Sequence, residues 1–135
     1  MLEGVKTLRL VAACAAALLF AFASCGGGGM SEAERAAAEM TGGGDPARGR
    51  AAIERYGCGT CHTIPGVRGA DALVGPPLTQ VGGRAYVAGV LTNSPENMIR
   101  WIRDPRAVDS LTAMPTLGVS DGEARDIASY LYTLK

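Results

Sequence analysis

The chain has 135 residues, with 13 Lys+Arg against 13 Asp+Glu and a single histidine. That length suits one small domain, and the even charge balance leaves no basic block to hold nucleic acid. From Cys25 onward the only lysine is the terminal Lys135, so a membrane role has to come from an anchor and not from a polybasic patch.

The first elements in the chain concern export. Lys6 and Arg9 make a positive n-region despite Glu3, and Leu10 to Phe22 is an uninterrupted apolar run. A run of about a dozen apolar residues suits a signal-peptide h-region and is short for a spanning helix, which needs roughly 20. Residues 1–24 are therefore expected to be a signal peptide; an uncleaved N-terminal membrane anchor is the other reading, and either one exports the rest of the chain. "FASC", Phe22 to Cys25, followed by four glycines, resembles a bacterial lipobox, although Phe22 stands where leucine is usual. The resemblance implies that Cys25 is lipidated and becomes the new N-terminus. Removing Lys6, Arg9 and Glu3 leaves 11 basic and 12 acidic residues, so the mature chain stays near neutral.

Residues 25–44 read as the lipidated cysteine and a flexible tether. Glycine runs bracket a short Ala/Glu segment, Ser31 to Met40, with an N-cap serine and early glutamates. Transient helix fits that pattern, but the segment lacks a clear apolar face and is too short to be stable alone. Twenty flexible residues from Cys25 to Asp45 would span roughly 25 Å r.m.s..

The domain proper is expected over residues 45–135. "DPARGRAAIERYG" opens with an N-cap aspartate and a proline at the first helical position, and closes on Gly57. "SPENMIRWIRDP" repeats that grammar from Ser94 to Asp104-Pro105. "SDGEARDIASYLYTLK" carries a capping box, Ser120 and Glu123, before apolar positions Ile127, Tyr130, Leu131 and Leu134 at helical spacing. Gly/Pro-rich loops lie between these helices. No alternating strand run is convincing, although "RAYVAGVL" can be read as short and extended or as helical. The fold class is all-α, with about three main helices and a large share of loop. So short a chain buries a modest core, and an apolar cofactor inside the fold would supply what the loops lack.

"CGTCH", Cys58 to His62, holds the chemistry. There are four cysteines, Cys14, Cys25, Cys58 and Cys61. If the first is cleaved away and the second acylated, only the CxxC pair remains. A thioredoxin-like dithiol should follow a strand in a βαβ setting; here the pair follows a helix. Zinc wants four ligands, and the domain offers Cys58, Cys61, His62 and no further Cys or His. A c-type haem fits without leftovers: each thiol forms a thioether to one vinyl group, and His62 stands next in sequence as proximal ligand. With a single histidine, a bis-histidine centre within one chain is excluded. Met114, in the Gly/Pro-flanked "TAMPTLG" loop, is the candidate sixth ligand. Met98, on the middle helix, reads as flexible core filler.

The order of these parts resembles class I cytochromes c over residues 45–135: a helix, CxxCH, "GPPL" (Gly75 to Leu78), a middle helix with Trp101, an "MP" loop and a terminal helix with "YL". "RAYVAGVLTNSPENMIRWIRDP" is most similar to the cytochrome c domain appended to subunit II of some bacterial haem–copper oxidases. The resemblance implies one covalent haem c wrapped by the loops. It implies that the Pro76 carbonyl fixes the tautomer of His62 and that Leu78 packs on the haem face. Trp101, Arg84 and Tyr86 would serve the haem propionates. Gly49 and Ile53 would meet Ile127 and Tyr130 where first and last helices cross, and Ile53, standing where an aromatic is common, implies a looser crossing.

The function implied is one-electron transfer, with no substrate turnover. The expected partners are membrane redox complexes such as a terminal oxidase and its quinol-oxidising donor, met on the periplasmic or extracytoplasmic side of a bacterial membrane, with no obligate oligomer. The alternatives are a fixed haem-relay subunit of a larger complex, and a haem peroxidase or gas sensor in which Met114 does not bind. The contact surface is expected around Cys58–Thr60, Ile64–Val67 and Met114–Leu117.

Overall fold

A computed structural model describes residues 29–135. The expected signal peptide and Cys25 lie outside the described residues. No described helix is long and apolar enough to cross a membrane. The described chain forms α1 (Glu32–Met40), α2 (Pro46–Arg55), α3 (Pro95–Arg103), α4 (Pro105–Val108) and α5 (Asp121–Thr133), with a small hairpin of β1 (Tyr86–Val87) and β2 (Leu91–Thr92). The three main helices expected of the domain are α2, α3 and α5.

Local chemistry sets the helix starts. The Asp45 carboxylate accepts from the backbone N–H groups of Ala47 and Arg48 at 2.9 and 3.0 Å, ahead of Pro46 at the first turn. Ser94 caps α3 in the same way, with Pro95 next. Asp104, expected only to end the middle helix, also caps the short α4 through the Ala107 N–H at 3.2 Å. Each cap satisfies donors that the first turn leaves unpaired, worth about 1 kcal/mol.

The terminal helix is the hub, against which α1, α2 and α3 all pack. Its buried residues Ala124, Ile127, Ala128 and Leu131 recur at i, i+3, i+4 and i+7 and form one apolar stripe. Against it α2 sets Ala52 and Ile53, and α3 sets Met98 and Ile102. Gly49 lets α2 and α5 touch: a Cβ there would lie 2.0 Å from the Asp126 carbonyl oxygen. The looser crossing implied at Ile53 is corrected, since its side chain is only 1% exposed. The missing Cβ at position 49 brings the backbones close enough for an aliphatic side chain to fill the space.

"RAYVAGVL" resolves as extended. Tyr86 pairs with Thr92 and Val87 with Leu91. The Val90 N–H donates to the Val87 carbonyl across a turn whose central residues, Ala88 and Gly89, have φ of 53° and 77°. Two positive φ values make the tight turn whose twist matches a hairpin, and Ala88 carries the strain of it.

The flexible tether expected over 25–44 is corrected from Ser31 onward. Ser31 and Glu34 form a complete capping box on α1. At the other end the Gly42 N–H reaches the Glu39 carbonyl and the Gly43 N–H the Ala38 carbonyl, at 3.0 and 2.8 Å. With φ of 70° at Gly42, this is a Schellman stop. The glycine run that reads as slack is the left-handed end of a helix. Ala37 is 2% exposed and Thr41 is buried, so the helix docks on α5 through small residues that give it no visible apolar stripe in sequence.

Candidate functional site

The CxxCH segment is a single turn thrown from the end of α2. Gly57, at φ 68°, breaks the helix, and Cys58–Thr60 winds into a 3-10 turn. The N–H groups of Cys61 and His62 both reach back to the Cys58 carbonyl, at 3.3 and 3.1 Å. Residues three apart eclipse on such a turn, so the two thiols share one side of it. Both are free and half-buried. Burial pushes the Cys58 thiol above its ordinary value, and neighbouring Cys61 adds to the rise. A nucleophilic dithiol needs a depressed thiol, which counts against redox exchange chemistry. Among the described residues no three His, Cys, Asp or Glu side chains gather as a metal site, which disfavours zinc.

His62 is held by the "GPPL" loop. Its Nδ1 lies 2.8 Å from the Pro76 carbonyl oxygen. A carbonyl only accepts, so Nδ1 is the donor, and in the neutral ring the lone pair is then on Nε2. Gly75 lies flat on the ring: a Cβ there would fall 2.4 Å from Cε1 of His62. The same loop is stitched to the turn, with the Gly75 N–H on the Cys61 carbonyl at 2.7 Å and the Leu78 N–H on the Thr63 carbonyl at 2.8 Å. Cys58, Cys61, His62, Gly75 and Pro76 therefore form one connected unit.

The remaining candidates lie on other elements. Leu78 and Trp101 are half-buried and pack against the core. Tyr86 is exposed on β1. Arg84 is exposed, and its Nη2 donates to the carbonyls of Pro77 and Thr79 at 2.5 and 2.8 Å, so it braces the "GPPL" loop. Met114 is half-buried. Its N–H donates to the Thr112 hydroxyl at 3.2 Å, and the Thr116 hydroxyl donates to Asp104 at 2.9 Å, tying the methionine loop to the α3–α4 junction.

The expected contact surface needs correction. Ile64 and Val67 are buried, because the Ile64 N–H bonds the Ala70 carbonyl at 2.9 Å and the loop turns both side chains into the core. Around the CxxCH turn and the methionine loop, Thr60, Gly66 and Pro115–Leu117 stay exposed.

Two connections have no counterpart in the sequence patterns. Tyr132, on α5, donates to the Asn93 side-chain oxygen at 2.7 Å, and the Asn93 amide donates to the carbonyls of Val81 and Arg84 at 3.0 and 2.8 Å. Asn93 thereby pins the Arg84 turn to the terminal helix. Glu123 closes its own capping box and also accepts from the Tyr56 hydroxyl at 2.8 Å and from Arg55 at 2.5 Å. The Ser120 and Tyr56 hydroxyls hold its carboxyl down at about 2. The capping box is visible in sequence, but its second partners lie 67 and 68 residues away and leave no local signal.

The residues fit a covalently held haem. Two thiols lie on one side of a turn, an imidazole presents a free Nε2, and a thioether sits in a proline-bearing loop. A glycine-lined cradle keeps side chains off the ring.

Residues 46–135 match the family model described as cytochrome c. The cytochrome c oxidase subunit 2 of Alkalihalophilus pseudofirmus is 35% identical over 89 residues, covering 65% of this chain and 25% of that protein. The cytochrome c oxidase subunit 2 of Bacillus sp. strain PS3 is 34% identical over 88 residues, 62% of this chain and 25% of that protein. The chain spans about a quarter of the length of these curated relatives. No solved structure matches it at a significant level.

Proposed function

This chain belongs to the cytochrome c family, and we propose that it is a membrane-tethered carrier of single electrons between redox complexes, not an enzyme with a substrate of its own. The observation that carries the reading is the His62 Nδ1 to Pro76 carbonyl bond beside the CxxCH turn. It fixes one tautomer and aims the lone pair at a ligand.

When bound, the haem c supplies a one-electron Fe(III)/Fe(II) couple. Cys58 and Cys61 would hold it through two thioethers. His62 Nε2 and the Met114 sulfur would both hold the iron, so no ligand place would be left for a substrate. The Pro76 carbonyl keeps the His62 ring from rotating and raises its basicity. Leu78 and the Trp101 ring would contribute apolar wall, with the Trp101 indole N–H left for a propionate, and burial together with a thioether ligand would favour the reduced state. Arg84 and Tyr86 would serve the propionates; the Nε and Nη1 groups of Arg84 would take that task, because Nη2 carries both bonds to the loop. Cys25 carries the lipid on the extracytoplasmic side of the membrane, which places a terminal oxidase and its quinol-oxidising donor within reach.

An optical and redox titration of protein matured in a haem-attaching host tests this reading, with Met114→Ala beside the wild type. Loss of the sixth ligand is expected to change the oxidised spectrum and lower the potential. An unchanged spectrum and potential would remove Met114 from the iron. Carbon monoxide binding rapidly to the native protein would favour a sensor or peroxidase instead.

A second reading has its own support. The relatives carry the matched stretch as a quarter of a longer oxidase subunit, which favours a fixed relay within a complex. Detergent extraction separates the two: release as a free protein supports the carrier, and stoichiometric co-purification with partner subunits supports the relay.

A further inference from the structure

The family match begins at residue 46, and α1 lies before it. We propose that α1 is a docked spacer that shortens the anchor, so that the domain works only against a redox partner embedded in the same membrane and presenting its docking surface close to the bilayer. This rests on the proposed lipidation of Cys25.

Chain reach carries the argument. If everything from Cys25 to Asp45 were slack, the leash would reach up to about 70 Å taut and roughly 25 Å r.m.s.. With Ser31 already capping a docked helix, six residue steps remain. They reach at most about 20 Å, whatever conformation they take.

One contact holds α1 itself, and two fix the chain that follows it. Ala37 is 2% exposed within the shared core. Gly44 is pressed on α5, where a Cβ would lie 2.6 Å from the Arg125 carbonyl oxygen and 2.9 Å from Ser129 Cβ, and the buried Ser129 hydroxyl donates to its carbonyl at 3.2 Å. The Asp45 N–H donates to the Asp126 carboxylate at 2.8 Å. A helix of 9 residues does not persist alone in water, so its persistence depends on this docking.

The test uses the full-length haem-loaded protein in phosphatidylethanolamine/phosphatidylglycerol vesicles carrying a little headgroup-labelled fluorescent lipid. Energy transfer from the label to the haem reads the mean distance from bilayer to haem. Mass spectrometry of the same sample reads the acyl chains, and hydrogen exchange reads α1. Acylated wild type is expected to quench strongly, with the amides of residues 36–41 exchanging at least about 100-fold more slowly than free chain. Ala37→Arg and Gly44→Val are expected to lose that protection and several-fold of the transfer, with the haem spectrum unchanged. A 14-residue Gly/Ser insertion after Gly29 should lose the transfer and keep the protection. Acylated protein with unprotected α1 amides overturns the docked spacer and leaves the anchor standing. So does transfer that falls on insertion but not in the two substituted proteins. A mass without acyl chains overturns the anchor, and the spacer with it.

Discussion

Replacing Gly49 by alanine adds one methyl group where the first and last helices of the domain touch. Helix propensity favours the change by about 1 kcal/mol. Packing opposes it more strongly. The new Cβ would stand 2.0 Å from the Asp126 carbonyl oxygen and 2.5 Å from its carbon, whereas ordinary contact begins at 3.4 Å. Both obstacles are backbone atoms, so no rotamer relieves the clash, and α2 must part from α5 by about 1.4 Å in an interior that has no slack. Overpacking of this kind costs about 3 kcal/mol, and the net expectation is a loss of about 2 kcal/mol. In urea that lowers the unfolding midpoint of the haem-loaded protein by about 1 M. Gly122→Ala is the matched control. It makes the same chemical change on α5 with nothing within 4 Å of the new atom, and is expected to raise stability by about 0.5 kcal/mol. Opposite signs for the two substitutions support the close approach. A Gly49→Ala midpoint at or above wild type would refute it.

Gly75→Ala places a Cβ 2.4 Å from the His62 ring and is expected to displace the imidazole; a lower haem content per chain and an altered visible spectrum would show it, and a wild-type yield and spectrum would count against the cradle. Ala88→Gly relieves a φ of 53° and should stabilise by about 1 kcal/mol, read as a higher Tm; an unchanged or lower Tm would mean the hairpin tip is not strained. Glu123 is depressed from 4.5 to about 2, so its contribution is complete above about pH 5 and lost as pH falls through the folded value. The Tm difference between wild type and Glu123→Gln should therefore be constant above pH 5 and shrink to nothing near pH 2, and a difference that persists at pH 2 would dismiss the carboxylate as its source.

Where local grammar dominates, the sequence is readable. Asp45-Pro46, Ser94-Pro95 and the Ser120–Glu123 box each mark a helix start within a residue, because a cap is a short-range hydrogen bond. CxxCH carries its own chemistry in sequence, whereas the role of "GPPL" is legible only through the resemblance to class I cytochromes c, because Pro76 lies 14 residues from the histidine it holds. The parts that escape are tertiary. The docking of α1 depends on Ala37, Thr41 and Gly44, small residues whose apolar faces do not show as a stripe. Ile64 and Val67 look like loop surface in sequence, and only the Ile64 to Ala70 bond turns them inward. Asn93 and the second partners of Glu123 act across tens of residues, and no spacing rule announces such a contact.

The contact of α2 with α5 also sets an order of events in time. The stripe that buries Ala52 and Ile53 is not complete until Leu131 has followed, about seventy residues after His62. Until then the segment around Cys58 and Cys61 has no terminal helix to close upon. A fold that joins its two ends last keeps its reactive middle open first, and gives the chemistry that must reach both thiols a window set by chain length.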